Sequence, residues 1–175
     1  MVDMASTGYT VDDLDRLRDE IGVAHLELDP WGSLIVSPAT DEHEIAQAEL
    51  LHQASVQLDH ATHSVFPSLP WTVPGGTGYL MIPDLTVVSA SWQREGELGI
   101  DPAPALVVEV ASPSTRHVDR TRKLADYRLG GAEKYLLVDL PSTFELHDFV
   151  AGGMVKATGS VDLEVGGQPL RFTLP

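Results

Sequence analysis

The sequence contains no cysteine, so disulfide bonds and thiolate metal sites are excluded and a reducing, cytoplasmic location is expected. It has no apolar run long enough to cross a bilayer. Its first residues, MVDMASTGYTVDDLD, lack the basic and hydrophobic regions of a signal peptide. The 175 residues are 43% hydrophobic and 21% charged, which is typical of a globular protein and predicts one domain over residues 1–175.

Basic residues are also scarce, since 11 Lys and Arg face 26 Asp and Glu and the formal net charge is -15. Such a field repels nucleic acids, because extended phosphate binding uses clustered Lys and Arg. Five of the 11 basic residues nevertheless lie within one segment. These five are Arg116, Arg120, Arg122, Lys123 and Arg128. The segment is either a local phosphate contact or a solvated helix face that pairs with its own Asp119 and Asp126, and charge alone favours the second interpretation.

The segment from Pro104 to Asp139 predicts a strand, a helix and a second strand. Residues 106–110 form a short, apolar, largely β-branched run, which is typical of a strand buried on both faces, and residues 134–139 repeat this pattern. Gly130 and Gly131 end the helix between them. A strand, a crossover helix and a strand form a βαβ unit, so the two strands are expected to be parallel neighbours.

Two acids interrupt apolar strands, and one lysine follows them. Glu109 lies inside the first strand of this unit, where a carboxylate is costly unless it is paired or binds a metal. Asp84 precedes another apolar run, 85–88. If these strands are neighbours, the two carboxylates could share Mg²⁺ or Mn²⁺ near Lys123, which is the equipment for phosphodiester hydrolysis.

Structural alternatives remain open from the spacing alone. Glu109 and Lys123 could form only a buried ion pair, and a lone Asp at a strand start, such as Asp84, is usually a turn residue. In the helix, Asp119, Lys123 and Tyr127 are spaced i, i+4 and i+8, so they lie on one face.

The flanking segments predict further helices and strands. Residues 9–21 predict an amphipathic helix, and residues 24–28 and 33–36 predict a hairpin in which Glu27 lies on the face opposite Leu26 and Leu28. A second helix from position 40 or 41 to about 60 has an inward stripe that includes Gln47 and begins at His43. That histidine either points into a cleft or is a buried, hydrogen-bonded core residue. Residues 144–150 should pair antiparallel to 135–139, and short strands follow.

Several ordered motifs carry a family resemblance. They are Pro83-Asp84, the segment 104–115, Asp119, Lys123, Tyr127, Gly131 and the segment 133–139. The pattern resembles the Uma2 family (DUF820), restriction-endonuclease-like proteins of the PD-(D/E)XK nuclease superfamily, over roughly Tyr9 to Phe149. The resemblance implies an α/β (α+β) fold, with a mixed sheet flanked by helices, an N-terminal hairpin and C-terminal antiparallel strands.

The resemblance also implies roles for individual residues. Asp84 and Glu109 would be metal ligands, with the carbonyl of Val110 as a third. Ala111 stands where the (D/E)XK pattern has its lysine, and in Uma2-like sequences the helix supplies that lysine, here Lys123. The remaining matched positions would support the site. Glu27 and His43 would adjoin the ligands or the substrate, and Asp119 and Tyr127 would orient the lysine.

The expected function is therefore Mg²⁺- or Mn²⁺-dependent hydrolysis of DNA phosphodiester bonds. The rival from another class is a nuclease-fold protein that does not cleave and acts as a binding or regulatory homo-oligomer. The net charge of -15 and Ala111 favour the rival, whereas Asp84, Glu109 and Lys123 favour the enzyme. No membrane contact is expected, and a homodimer would place two sites on opposite DNA strands.

Overall fold

The computed structural model describes residues 8–21, 26–29, 31–36, 40–73, 80–95, 98–112 and 115–174. Its helices are α1 (Val11–Ile21), α2 (Asp41–Gln57), α3 (Arg116–Val118) and α4 (Leu124–Leu129). The first seven strands are β1 (Leu26–Leu28), β2 (Leu34–Val36), β3 (His63–Pro67), β4 (Trp71–Thr72), β5 (Leu80–Met81), β6 (Leu85–Ser89) and β7 (Gln93–Glu95). The other seven are β8 (Gly99–Asp101), β9 (Leu106–Ala111), β10 (Lys134–Asp139), β11 (Thr143–Asp148), β12 (Met154–Thr158), β13 (Ser160–Val165) and β14 (Gln168–Thr173).

The main sheet has six strands in the order β12-β11-β10-β9-β6-β3. β9 and β10 run parallel, as the predicted βαβ unit requires, and the other neighbours in this sheet are antiparallel. The mixed sheet and the antiparallel pairing of β10 with β11 are therefore confirmed. The hairpin β1–β2 and the C-terminal pair β13–β14 form separate two-stranded sheets, also as expected.

The two faces of the sheet are covered by different helices. Because successive strand residues point to opposite faces, β9 supplies Leu106, Val108 and Val110 to the core beneath α2. Its other face supplies Val107 and Ala111 to the core beneath α4. Glu109 shares the α4 face, so its carboxylate points toward the crossover helix.

The N-terminal hairpin differs from its prediction in one respect. Leu26 and Leu28 are buried, as the alternation predicted, and pack with Leu14 of α1, but Glu27 on the opposite face is buried as well. The second face of β1 does not meet solvent, because it lies against the crossover segment, where Lys123 reaches Glu27. Residues 24 and 25, the predicted start of this strand, lie outside the described residues.

The helices also differ from prediction at two points. α2 ends at Gln57 rather than near residue 60, because Leu58 is extended and its buried side chain turns into the core. The crossover is not one regular helix, since Asp119–Lys123 forms a π-helical turn between α3 and α4.

Gly131 has φ +85, a conformation that favours glycine, and follows the end of α4 as predicted. Within the described ranges, no helix is long and apolar enough to span a membrane.

Candidate functional site

The site lies where β9 extends beyond its neighbour β6. The β6–β9 pairing ends at Leu85 and Val108, so Glu109 and Val110 continue along an edge that β6 does not cover. The amide of Val110 donates instead to Oδ2 of Asp84, at 2.6 Å. Asp84 is buried immediately before β6 and therefore caps this open edge. The side chain is more than a turn residue.

Helix α2 fixes Asp84 from the opposite side. The His43 Nε2 atom lies 3.2 Å from Asp84 Oδ2, and the Gln47 amide donates to the Asp84 carbonyl at 2.7 Å. The hydrogen bond to Asp84 raises the pKa of His43, although partial burial opposes the shift. The buried Nδ1 atom of His43 has no hydrogen-bond partner among the described residues. His43 thus points into the site, the first of the two interpretations of its position.

Glu109 is held from the α4 face. Its Oε1 atom accepts a hydrogen bond from Lys123 Nζ at 2.9 Å and a short one from the Tyr127 hydroxyl. Burial raises the pKa of Glu109 well above its usual range, with Lys123 acting in the opposite direction. Tyr127 was expected to orient the lysine, but it contacts the carboxylate that the lysine binds.

Lys123 is the centre of an acidic cluster. Besides Glu109, its ammonium lies 3.1 Å from Glu27 Oε2 and 3.7 Å from Asp119 Oδ1. Burial alone would lower the pKa of Lys123, but the three carboxylates outweigh burial and raise it. Burial raises the pKa of Asp119, with Lys123 opposing. The π-helical turn begins at Asp119 and ends at Lys123, and both side chains are buried, so the turn directs both toward Glu109.

The charges at this site do not balance. Glu27, Asp84, Glu109 and Asp119 are all buried carboxylates, whereas Lys123 is the only buried ammonium among the described residues. Uncompensated carboxylates are costly in an apolar interior and become favourable when protonated or when a cation binds. The cluster therefore favours the entry of a positive charge.

The available oxygen atoms fit a hard divalent cation. Among the described residues, hydrogen bonds engage only Oδ2 of Asp84 and Oε1 of Glu109, one oxygen of each carboxylate. The Val110 carbonyl faces the same open edge as its amide, since both groups of a strand residue point to one side. In the described part of the chain, no group of three or more His, Asp or Glu side chains is arranged to bind a metal ion. An ion at this site would therefore need other ligands as well. Mg²⁺ typically takes one or two carboxylates and completes its shell with water and phosphate oxygens, so this set suits it.

Three arginines of the basic segment are paired with acids, whereas Arg128 lies over the Phe149 ring at 5.9 Å. Arg116 and Arg120 bind Asp139 at 2.6 Å and 2.8 Å. Arg122 lies 3.9 Å from Asp29 and 3.7 Å from Asp126. Of the two acids predicted as partners within the segment, only Asp126 contacts one of these arginines, and Asp139 and Asp29 outside the segment supply the other contacts.

The seven predicted side chains form two contact groups, one at the Val110 amide and one around Glu109, the residue before it in β9. They are Glu27, His43, Asp84, Glu109, Asp119, Lys123 and Tyr127. The sequence pattern predicts Gln47 as part of the inward stripe of α2. It does not predict the hydrogen bond from Gln47 to the Asp84 carbonyl. A polar residue within an apolar stripe was the available signal. The second missed contact, from the Ile82 amide to Glu27 at 2.9 Å, leaves no trace in side-chain pattern.

A groove of about 850 Å³ adjoins the site between α2, the end of β9 and the C-terminal strand. Its lining is mainly apolar and includes Ile45, Ala111 and Leu174. His43 borders it, and Glu42 and Glu49 add negative charge. Arg116 also lines the groove but is paired with Asp139, so the groove offers little to a phosphate backbone.

Comparison with known proteins identifies a family. The model of the Uma2 family, described as "Putative restriction endonuclease", matches residues 11–153. No curated protein matches the chain. A solved structure from Anabaena variabilis ATCC 29413, titled as "a putative nuclease belonging to DUF820", superposes with a TM-score of 0.64. The match covers 80% of each chain at 19% sequence identity, so the fold is shared.

Proposed function

Because the chain belongs to the Uma2 family of restriction-endonuclease-like proteins, we propose that it is a Mg²⁺- or Mn²⁺-dependent endonuclease that hydrolyses DNA phosphodiester bonds. The observation that carries the proposal is the bond from the Val110 amide to Asp84 at an uncovered strand edge, one residue after Glu109, within an excess of buried negative charge. Asp84, Glu109 and the Val110 carbonyl would hold the ion. Once bound, such an ion lowers the pKa of a coordinated water and neutralises charge on the phosphate.

The chain's own groups keep the ligands in place. The Val110 amide and His43 fix one oxygen of Asp84, and Lys123 and Tyr127 fix one oxygen of Glu109. Each carboxylate is thereby oriented before any ion or substrate arrives, which lowers the reorganisation needed for catalysis.

Lys123 takes the place of the lysine missing at position 111. Ala111 is buried in β9, so that position offers no cation, whereas the π-helical turn brings an ammonium to the same strand. In the proposal, Lys123 offsets part of the carboxylate charge and holds Glu109 in position.

A plasmid-nicking assay with Mg²⁺ or Mn²⁺ tests the function. Wild type should nick the plasmid, and Glu109→Gln should lose at least about 100-fold of the rate, as is typical when a stabilising group for the transition state is removed. Glu49→Gln, at the rim of the groove, is the matched control and should stay active. Equal rates for wild type and Glu109→Gln would end the nuclease proposal for this site.

The alternative function is that of a nuclease-fold protein that does not cleave DNA and acts as a binding or regulatory homo-oligomer. It is favoured by the burial of Glu109 and Lys123 and by the pairing of Arg116, Arg120 and Arg122 with acids. Calorimetric titration with Mn²⁺ separates the two, since a protein that binds no ion and cleaves no plasmid fits the alternative. A single domain, a cytoplasmic location and a homodimer with two sites remain parts of the proposal.

A further inference from the structure

Two exposed aromatic residues lie at the tip of the β1–β2 hairpin, Trp31 in the turn and Tyr9 on the backbone segment that pairs with it. Tyr9 is 45% exposed and Trp31 is 74% exposed, and within the described ranges every other Trp, Tyr and Phe is buried or half-buried. The Tyr9 amide donates to the Gly32 carbonyl at 2.8 Å, so the two residues flank one turn. A large ring in water gains nothing for folding, which makes this pair a candidate contact surface.

The turn that presents Trp31 is fixed by its own hydrogen bonds. Asp29 Oδ1 accepts from the amides of Trp31, at 2.9 Å, and of Ser33, at 2.7 Å. Gly32 has φ +80, and a Cβ atom there would lie 2.5 Å from the Cα atom of Gly8. These contacts link residues 29 and 31–33 of the turn to one another and to Gly8.

The tip borders the proposed active site. Glu27, on the same hairpin, contacts Lys123 at 3.1 Å, and Arg122 next to it lies 3.9 Å from Asp29. Trp31 follows Glu27 by four residues. At about 3.8 Å between successive Cα atoms, the two Cα atoms are at most about 15 Å apart.

We propose that Trp31, with Tyr9 beside it, stacks on an unpaired nucleobase of the substrate, so that the site prefers single-stranded or locally unpaired nucleic acid. The inference rests on the proposed function and adds a substrate class to it. An aromatic ring can stack only on a base whose face is free, and such stacking tolerates any sequence.

The charges of the molecule favour a base contact over a backbone contact. The net charge is -15, and Arg116, Arg120 and Arg122 are paired with acids. Affinity that comes from stacking releases few counterions, so it should fall only weakly as salt rises.

Binding without hydrolysis tests the inference directly. Wild type in a chelator and Glu109→Gln are titrated with an oligothymidine and with a duplex of equal length, with intrinsic tryptophan fluorescence and anisotropy as readouts. Trp71 is fully buried and Trp92 packs against Phe66, so quenching reports mainly on Trp31. We expect quenching by the oligothymidine and about tenfold weaker binding of the duplex.

Variants of exposed residues complete the test. Trp31→Ala should weaken oligothymidine binding about tenfold, and Trp31→Phe should keep most of the affinity. Val150→Ala, at a side chain that is 73% exposed on the β11–β12 turn, is the matched control and should bind like wild type. Equal affinity of Trp31→Ala and Val150→Ala would overturn the inference, as would self-association that Trp31→Ala abolishes without a change in nucleic-acid binding.

The two proposals fail in different ways. If no plasmid is nicked but single-strand binding depends on Trp31, the stacking inference stands and the endonuclease proposal falls. If wild type and Trp31→Ala cleave single-stranded and duplex DNA at equal rates, the endonuclease proposal stands and the stacking inference falls.

Discussion

The two carboxylates of the candidate site are held by different kinds of partner. Glu109 depends on Lys123 and Tyr127, two side chains of one helical segment that are fully enclosed by protein. Asp84 depends on the backbone of Val110 and on side chains of α2, at the margin of the apolar groove. One side is thus a buried ion cluster and the other a capped strand edge, so substitutions on the first side should cost more.

The largest effect is expected at Lys123, on the buried side. Lys123→Met leaves Glu27, Glu109 and Asp119 without their counter-charge, and breaking a buried pair in this way costs about 3–5 kcal/mol. Urea denaturation measures the loss. Lys156→Met, at a side chain that is 57% exposed, is the control and should change stability by less than about 0.5 kcal/mol. Unchanged stability of Lys123→Met would show that protonation already neutralises the carboxylates.

Metal binding should join the two sides of the site. At a Mn²⁺ concentration about 100 times the dissociation constant, the free energy of unfolding should rise by about 2.7 kcal/mol. Thermal unfolding with and without Mn²⁺ should lose this difference in both Asp84→Asn and Glu109→Gln. Glu145→Gln removes a carboxylate that lies 3.5 Å from Arg120, outside the proposed metal site, and this variant should retain the Mn²⁺-dependent stabilisation. A shift that survives in Asp84→Asn would place the ion elsewhere.

Tyr127 tests the buried side more gently. Tyr127→Phe removes the hydroxyl that donates to Glu109 but keeps the ring stacked on Trp71. Hydrogen bonds to charged groups contribute about 1.5–3 kcal/mol. Because Lys123 still donates to the same oxygen, the free energy of unfolding should fall by about 1.5 kcal/mol. Tyr135→Phe, whose hydroxyl donates to a backbone carbonyl, should lose about 1 kcal/mol. Denaturation of both variants decides whether the acidic partner makes the difference.

The smallest effect is expected at Gln47, behind the capped edge. Gln47→Leu removes the bond to the Asp84 carbonyl and should cost about 1 kcal/mol of stability. Its effect on nicking should exceed that of Gln53→Leu, which bonds the C-terminal strand and not the site. Equal nicking by the two variants would mean that α2 supports the fold without positioning Asp84.

The buried side was the more predictable of the two. A carboxylate inside the apolar run of β9, and Lys123 and Tyr127 spaced along one helix, indicate their meeting because both signals are local. The π-helical turn could not be predicted from the sequence. It occurs together with the burial of Asp119 and Lys123, and that burial depends on contacts with distant parts of the chain. The burial of Glu27 could not be predicted either. The strand pattern places Glu27 on the face opposite the leucines but does not indicate that the crossover segment packs against that face.

The strand-edge side depends on long-range pairing. Asp84 precedes its strand, so the sequence could not separate a turn residue from a ligand, and the answer depends on β9 being longer than the overlap with β6. For a similar reason, the sequence does not decide whether His43 points into a cleft or into the core. The hydrogen bond from Gln47 to the Asp84 carbonyl joins residues 37 positions apart, a separation at which residue pattern says little.

The mismatch in length between β6 and β9 has a consequence for engineering the molecule. If β6 were extended by two residues, its backbone would occupy the notch that now receives the Asp84 carboxylate, and the Val110 amide would join an ordinary ladder. Every acidic side chain could be retained, and the open strand edge that is proposed to hold an ion would still be lost. Chemistry at this position is therefore a property of where one strand stops, and insertions before Leu85 should be far more damaging than their side chains suggest.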